Sequence, residues 1–396
     1  MSARGLLTFV LLIFVATRVW AADGTLNVSA ALGGVYDDNR YLVSGGHDDF
    51  SSSNEALSVD YGVQTDTTTL GAGLRIYDEY TQQYPEGESD SVSAHVNGKQ
   101  VFERSSLSGG WSRERSSALQ SEIQATGPVS VNIQRYRDSW YGGTNYHVTE
   151  QGYWGLSWRQ DRVGYDDSVA SELNGYRYTD VETRYDWHLS ERTGLGIGLF
   201  GNGFENEDNT FRSDTRGVKL SLTRELSEYS RLKLEFGRRS TDYTRKIWII
   251  DWSALALLQR QIRQEGTGSV SDLSWTVDGR LLNSTFTISR NLEPNSLGDL
   301  IEKRKISENL LWTRNQRFSV SLEAACWTQR SEESIGASDD LNSIWVAITA
   351  HYRVTRNLYV NSRLRRLDRK LLNPTDSAGS NQISIDIKWF ADPTEL

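Results

Sequence analysis

The sequence predicts an all-β chain, a transmembrane antiparallel outer-membrane β-barrel of roughly 16–20 strands, about 18 by hairpin count. Three observations predict it. Apolar and polar residues alternate along most of the chain, a secretory leader stands at its start, and no later segment carries an unbroken apolar span. The alternation is clearest from Val181 to Leu234, where VETRYDWHL, LGIGLF, VKLSLT and LKLEF each place an apolar side chain at every second position. That is the period of strands with one greasy face and one wet face.

The leader MSARGLLTFVLLIFVATRVWAADG sets Arg4 before an apolar run, Leu6 to Ala16, and offers Val19-Trp20-Ala21 as a cleavage site. Arg18 ends the run short of the roughly 20 residues that a membrane helix needs. Residues 1–22 therefore read as a cleaved signal peptide and residues 23–396 as a single barrel domain.

Hydropathy alone would misclassify the chain, since 37% apolar residues and a mean hydropathy of -0.54 look soluble. In a barrel wall only alternate residues meet lipid, so periodicity decides. Thirteen Trp, 18 Tyr and 11 Phe against five Pro suit long strands with rings at the bilayer interfaces. The single cysteine, Cys326, excludes an internal disulfide and reads as a small apolar wall residue. A net charge of -9 excludes nucleic acid as a partner. Acidic residues bunch between strands, as at Asp48-Asp49 and Asp166-Asp167. They read as solvated loops or as recruiters of divalent cations beside anionic lipid head groups.

The elements follow in order. Leu26 to Tyr36 is the first strand. Glu55 to Gln64 and Thr69 to Tyr80 meet at TDT, Val92 to Val96 and Phe102 to Arg113 at NGK, and Leu119 to Ala125 and Val129 to Arg137 at TGP. YGGTNYH reads as a loop, Tyr153 to Trp158 as a strand, and Ile247 to Ile262 as either strand or short helix. Tyr178 to Leu189 turns through SERT into Leu195 to Phe204, and Gly217 to Leu226 through SEYS into Leu232 to Arg239. Leu273 to Val277 turns at DGR into Leu282 to Arg290, Ile306 to Trp312 at TRNQ into Phe318 to Trp327, and Ile344 to Tyr352 at VTRN into Leu358 to Leu367. In the last strand, Gln382 to Phe390, Ile383, Ile385, Ile387 and Trp389 share one face.

On the phase opposite the apolar stripe lie the lumenal candidates. They are Arg184, Asp186 and His188, with Asp180 and Glu182; Lys219; Lys233, Glu235 and Arg239; Glu323; His351; Tyr359, Asn361, Arg363 and Arg365; and Asp386 and Lys388. Both signs are present. The set reads either as an internal ion-pair lattice or, through Arg184, Tyr359, Arg363 and Arg365, as a path for a polar or anionic polymer. Carbohydrate suits such a path, because aromatic rings stack on sugars while charged and amide groups satisfy hydroxyls. The densest aromatic stretch, Tyr136 to Tyr178, reads mainly as interfacial girdle.

No catalytic constellation emerges. The five histidines, His47, His95, His147, His188 and His351, fall in unrelated settings, and Ser190 and Ser221 near His188 make a triad only on paper. No metal-ligand spacing and no cofactor motif appears.

The leader, the opening strand LNVSAALGGVYDDNRY, the turns LSERTGL and LSEYSRL, and the terminal strand ending Trp389-Phe390 resemble outer-membrane β-barrel proteins encoded with bacterial exopolysaccharide systems. The resemblance covers most of the chain beyond the leader. It implies residence among the outer-membrane lipids of a Gram-negative bacterium and a role as portal for secreted polysaccharide. It also implies a partner, a periplasm-spanning polysaccharide export protein, facing the turns around Thr126-Gly127-Pro128, Ser190-Glu191-Arg192, Ser227-Glu228-Tyr229 and Arg314-Asn315-Gln316. A general or selective diffusion porin and a structural or adhesive barrel stand as alternatives. Barrels of this class usually end on an aromatic residue, whereas Ala391 to Leu396 follow Phe390.

Overall fold

The structure is a computed structural model that describes residues 23–40, 42, 49–81, 89–118, 133–166, 173–251, 256–295, 299–331, 341–371, 377–392 and 394–395. The signal-peptide expectation and the hairpin expected across Thr126-Gly127-Pro128 lie outside the described residues.

Eighteen long strands form the wall. They are β1 (Asp23–Asp37), β2 (Phe50–Gln64), β3 (Thr68–Tyr80), β4 (Ser89–Val101), β5 (Ser105–Ser117), β6 (Gln134–His147), β7 (Gly152–Tyr165), β8 (Tyr176–Ser190) and β9 (Thr193–Asn206). The other half comprises β10 (Phe211–Ser227), β11 (Ser230–Asp251), β12 (Ala256–Asp278), β13 (Leu282–Pro294), β14 (Leu300–Asn315), β15 (Phe318–Ser331), β16 (Leu341–Arg353), β17 (Leu358–Leu371) and β18 (Ser377–Phe390). Each pairs antiparallel with its sequence neighbour, and β1 pairs with both β2 and β18, so the sheet closes on itself. The closing ladder runs from Ser29↔Phe390 to Asp37↔Gln382. The tail is also tied in: the two-residue β19 (Thr394–Glu395) pairs with Leu26 and Thr25 of β1.

The alternation read from sequence maps onto two faces. In β18, Ile383, Ile385, Ile387 and Trp389 are exposed while Gln382, Ser384, Asp386 and Lys388 on the other phase are half-buried. Leu195, Ile197 and Leu199 of β9, Leu220 of β10, Phe236 of β11, Ile344 and Ile348 of β16 and Leu364 of β17 continue the exposed apolar band. Cys326 is exposed on the same face, between Ile306 and Ile344 on its neighbours. Apolar surface on this scale around a closed sheet is stable only in lipid. Near the short turns, exposed Trp154, Trp187, Trp275, Trp312, Tyr352 and Trp389 form a girdle. Two of these indoles donate to hydroxyls, Trp154 Nε1 to Thr183 at 2.7 Å and Trp275 Nε1 to Ser230 at 2.8 Å.

Tight turns such as 191–192, 228–229 and 316–317 join alternate strands at one rim, where the first and last wall strands also begin and end. The opposite rim carries the longer connections. This is a Gram-negative outer-membrane barrel with its short turns facing the periplasm.

Two local expectations are overturned. The Asn-Gly pair of NGK lies inside β4, not at a turn: Asn97 and Gly98 pair with Gly71 and Leu70 on one side and with Gly110 and Gly109 on the other. Two ladders override the turn preference of one dipeptide. YGGTNYH is strand, the end of β6, and its Gly142 and Gly143 lie between Gly109 and Ser108 of β5 and Trp158 and Ser157 of β7. The ambiguous Ile247 to Ile262 is resolved as strand backbone up to Asp251 and again from Ala256.

Arg at position 385, on the lipid face, is expected to cost about 2–4 kcal/mol of membrane folding free energy. Urea titration of the barrel folded into liposomes checks this, and an unchanged midpoint for Ile385→Arg would contradict the face assignment.

Candidate functional site

The lumenal phase of β8 to β11 builds a lattice of ion pairs across strands. Arg184 of β8 pairs with Asp186 at 2.6 Å and with Glu235 of β11 at 3.4 Å, and Glu235 also holds Lys233 at 2.6 Å. One level away, Lys219 of β10 reaches Glu182 at 2.9 Å, with its ammonium 4.6 Å from the Phe200 ring centroid. Lys219 and Glu182 span β9, and Arg184 and Glu235 span both β9 and β10, over small residues, Gly196 and Gly198 of β9 and Ser221 of β10. Gly194, Gly196 and Gly198 of β9 lie opposite His188, Asp186 and Arg184, and a Cβ on Gly196 would collide with Asp186 and Ser221.

A second lattice covers β15 to β18. His351 Nδ1 lies 2.8 Å from Asn361 Oδ1, and Asn361 Nδ2 donates to Asp386 at 2.7 Å, so one rung crosses three strands. Arg363 reaches over the small, buried Ala347 of β16 to Glu323 at 3.3 Å. Arg365 lies 3.6 Å from Asp37 at the top of β1. At the periplasmic end Tyr359 packs edge-on against Phe390 with centroids 5.2 Å apart, and Lys388 lies 4.7 Å from that ring. On the other wall, Tyr153 has His188 at 5.9 Å and His147 at 6.2 Å.

Apart from Arg239, these sequence-derived candidates fall into two groups facing one lumen. Arg239 is only 4% exposed, pairs with Glu302 at 3.4 Å and donates to Thr241 at 3.2 Å. Its partner sits near the tip of the β13–β14 hairpin; above Ser271↔Arg290 β13 parts from β12, while β14 stays paired with β15 up to Ile301↔Ser331. There Leu292 and Leu300 bury against Phe204, Phe211 and Tyr243 on the lumenal phase of β9 to β11. Arg245 anchors Asp299 at 2.8 Å, while burial pushes that carboxyl above the usual carboxylate range against the pull of Arg245. Arg239 is therefore a fastening beneath an inserted hairpin and does not face open lumen.

On the other side of the same rim, Arg40 and Leu42, just after β1, pack on the lumenal phase of the wall. Arg40 makes a buried two-pronged pair with Glu79 of β3, both bonds 2.7 Å, and lies 4.0 Å over the Phe50 ring. Leu42, held at a φ of 51°, packs into a cluster with Ala325, Trp327 and Leu367 from β15 and β17. A non-glycine residue in this region is strained, and its burial among wall residues compensates. Asp37 accepts from Ser380 at 2.7 Å and from the Asn39 amide at 3.0 Å.

Alternation revealed which residues face inward but not these inserted segments. Arg40, Leu42, Glu79 and Glu302 had no separate signal, because insertion depends on contacts between distant strands. Lumenal Tyr141 and Tyr153 were legible only as members of an aromatic stretch. With Arg159, Asp180, Glu182 and Arg184 they line a recess of about 460 Å³ whose floor is small, at Ser108, Gly143 and Gly155. The arrangement offers rings, paired charges and amides to a hydrated polar molecule, and no nucleophile with an activating base is part of it.

No protein-family model and no curated protein matches the chain. Among solved structures, the ferric-catecholate import receptor Fiu from E. coli K12 superposes with a TM-score of 0.47 at 8% identity, over 93% of this chain and 82% of that one. Pseudomonas aeruginosa OccK2 (OpdF) gives 0.46 at 10% identity, over 94% and 98%. Acinetobacter baumannii OccAB2 gives 0.43 at 8% identity, over 93% and 98%. At TM-scores below 0.5, none of these likenesses bears on what this chain carries.

Replacing Arg363 by Ala removes a lumenal cation without touching the lipid face. The reversal potential in a planar bilayer under a salt gradient should shift toward cation selectivity, with liposome folding unchanged. Breaking the Arg40–Glu79 pair with Arg40→Ala takes the cation from a buried carboxylate that keeps the Ser52 hydroxyl at 2.6 Å, at a cost of about 3–5 kcal/mol locally. Single-channel conductance should rise as the mouth loosens; an unchanged conductance would mean that this connection does not limit passage.

Proposed function

We propose that the barrel is an outer-membrane conduit for a secreted polysaccharide. The observation that carries this reading is the pairing of lumenal rings with charged rungs at the periplasmic end, Tyr359 and Phe390 beside Lys388 and Asp386, and Tyr153 beside His188 and Asp186. Rings supply apolar faces to pyranose rings, while carboxylates, amides and cations exchange hydrogen bonds with hydroxyls at little net cost. A polymer entering from the periplasm meets these groups first. The narrowing at the opposite mouth suits a conduit that must not leak small solutes when idle.

A periplasmic polysaccharide export protein is the partner this reading implies. The turns at Glu191-Arg192, Glu228-Tyr229 and Gln316-Arg317 present exposed charged or polar groups for it. A diffusion porin for small polar solutes is the second reading, favoured by the mixed signs of the rungs, which would pass ions of either charge. Deleting the gene and measuring surface and released polysaccharide separates the two. Loss of polymer, restored by wild type and not by Tyr359→Ala at equal barrel levels, is expected; unchanged polymer would leave the porin.

A further inference from the structure

Beyond Arg365 and Leu367, the lumenal phase of β17 places a third arginine, Arg369, opposite Ser343 of β16 and Ala378 of β18. It is 5% exposed, and its Nε, Nη1 and Nη2 have no hydrogen-bond partner among the described residues. Trp345, one diagonal step away on β16 opposite Leu367, also keeps a buried Nε1 without an acceptor. The neighbouring arginines are differently placed, for each has a carboxylate: Asp37 for Arg365, Glu323 for Arg363 and Glu79 for Arg40.

A guanidinium has five N–H donors and no acceptor, and burying it unpaired is among the costlier things a fold can do. Trp345 adds a further donor and again no acceptor. A set made only of donors is complementary to a group made only of acceptors, and the guanidinium fork matches the two oxygens of a carboxylate. The surroundings sharpen the match. Leu42, Trp327, Leu367 and Ala378 form an apolar cluster that includes Trp345, so the charge acts through a low local dielectric.

We propose that Arg369 and Trp345 form a binding site for the carboxylate of an acidic saccharide at the outer end of the lumen. The sugar part rests on the polysaccharide-conduit reading; the charge requirement rests on the unpaired donors alone. The forked pair forms between Arg369 Nη1 and Nη2 and the two carboxylate oxygens, and Trp345 Nε1 supplies a third hydrogen bond. Passing a polymer over such a site favours acidic repeats over neutral ones.

The test uses the full barrel in planar bilayers, with tetragalacturonate as probe and maltotetraose as its neutral counterpart. Tetragalacturonate should block the current of wild type, and Arg369→Gln should raise the half-blocking concentration about tenfold, as loss of a charged hydrogen bond implies. Arg369→Lys should recover part of the block, and Trp345→Phe should weaken it less than Arg369→Gln does. Without probe, Arg369→Leu should fold at least as stably as wild type, because it removes a buried charge that lacks a partner. Equal block of wild type and Arg369→Gln, equal potency of maltotetraose, or displacement of the probe by equimolar sodium sulfate would each overturn the site. Arg369-dependent block alongside unchanged polymer secretion in the deletion strain would remove the conduit reading and leave the anion site standing.

Discussion

Closure of the backbone ladder is the constraint on which the rest of this molecule depends. Within hydrocarbon no water is available to an open edge, so every wall strand needs two neighbours. Here the first and last wall strands supply that closure through a register running from Ser29↔Phe390 to Asp37↔Gln382. Because side chains alternate strictly, this register fixes both faces at once. A slip of one residue would turn Ile385 and Ile387 inward and present Asp386 and Lys388 to lipid. The polar lumen is thus the other half of the solution that makes the outside apolar.

A wide lumen brings its own packing problem, since long charged side chains on adjacent strands compete for the same wall. The chain solves it by placing small residues beneath them. Gly196 and Gly198 lie under the Arg184–Asp186–Glu235 lattice, and Ala347 lies under the bond from Arg363 to Glu323. Each pair is partly wet and contributes little stability alone. Their combined effect is positional: the rungs hold cations and carboxylates at set heights instead of leaving them to collapse together. At the outer mouth the balance changes, because Arg40 and Glu79 are buried and their partnership is obligatory there.

What the sequence disclosed follows this division. The alternation in QISIDIKWF was readable because one bond geometry acts at every position, and it located Asp386 and Lys388 in the lumen with no tertiary information. The same periodicity carried Asn361, Arg363 and Arg365 inward. It failed where a local signal opposed the ladder, as at Asn97-Gly98, whose turn preference yields to two flanking strands. It was silent about the inserted segments. Nothing near Leu42 indicates contact with Ala325 and Trp327 nearly three hundred positions later in the chain, and nothing near Glu302 indicates that Arg239 will be covered. Arg369 lay beyond the strand read as ending at Leu367, and a missing partner is visible only once all the neighbours are in place.

The seam between β12 and β13 shows how the closure constraint is released where lipid ends. These strands share the ladder only from Ser271↔Arg290 to Asp278↔Asn283, whereas β12 continues against β11 as far as Ala256. Above the seam, β12 has no second neighbour among the described residues. The side chains there report the solvent: Gln259, Arg260, Gln261, Arg263 and Glu265 are all exposed, and the apolar outer stripe has stopped at Leu273 and Trp275. An unpaired edge with such a composition is stable only in water, and its charges also oppose pairing with a second chain. Parted from β12 but still paired with β15, the β13–β14 tip packs against the lumenal phase of β9 to β11, where Glu302 gathers Arg239, Arg290 and Arg304 within 2.8–3.4 Å. The β12–β13 seam therefore opens at the height where its hydrogen bonds cease to be compulsory, and β13 and β14 carry their apolar tip onto the facing strands.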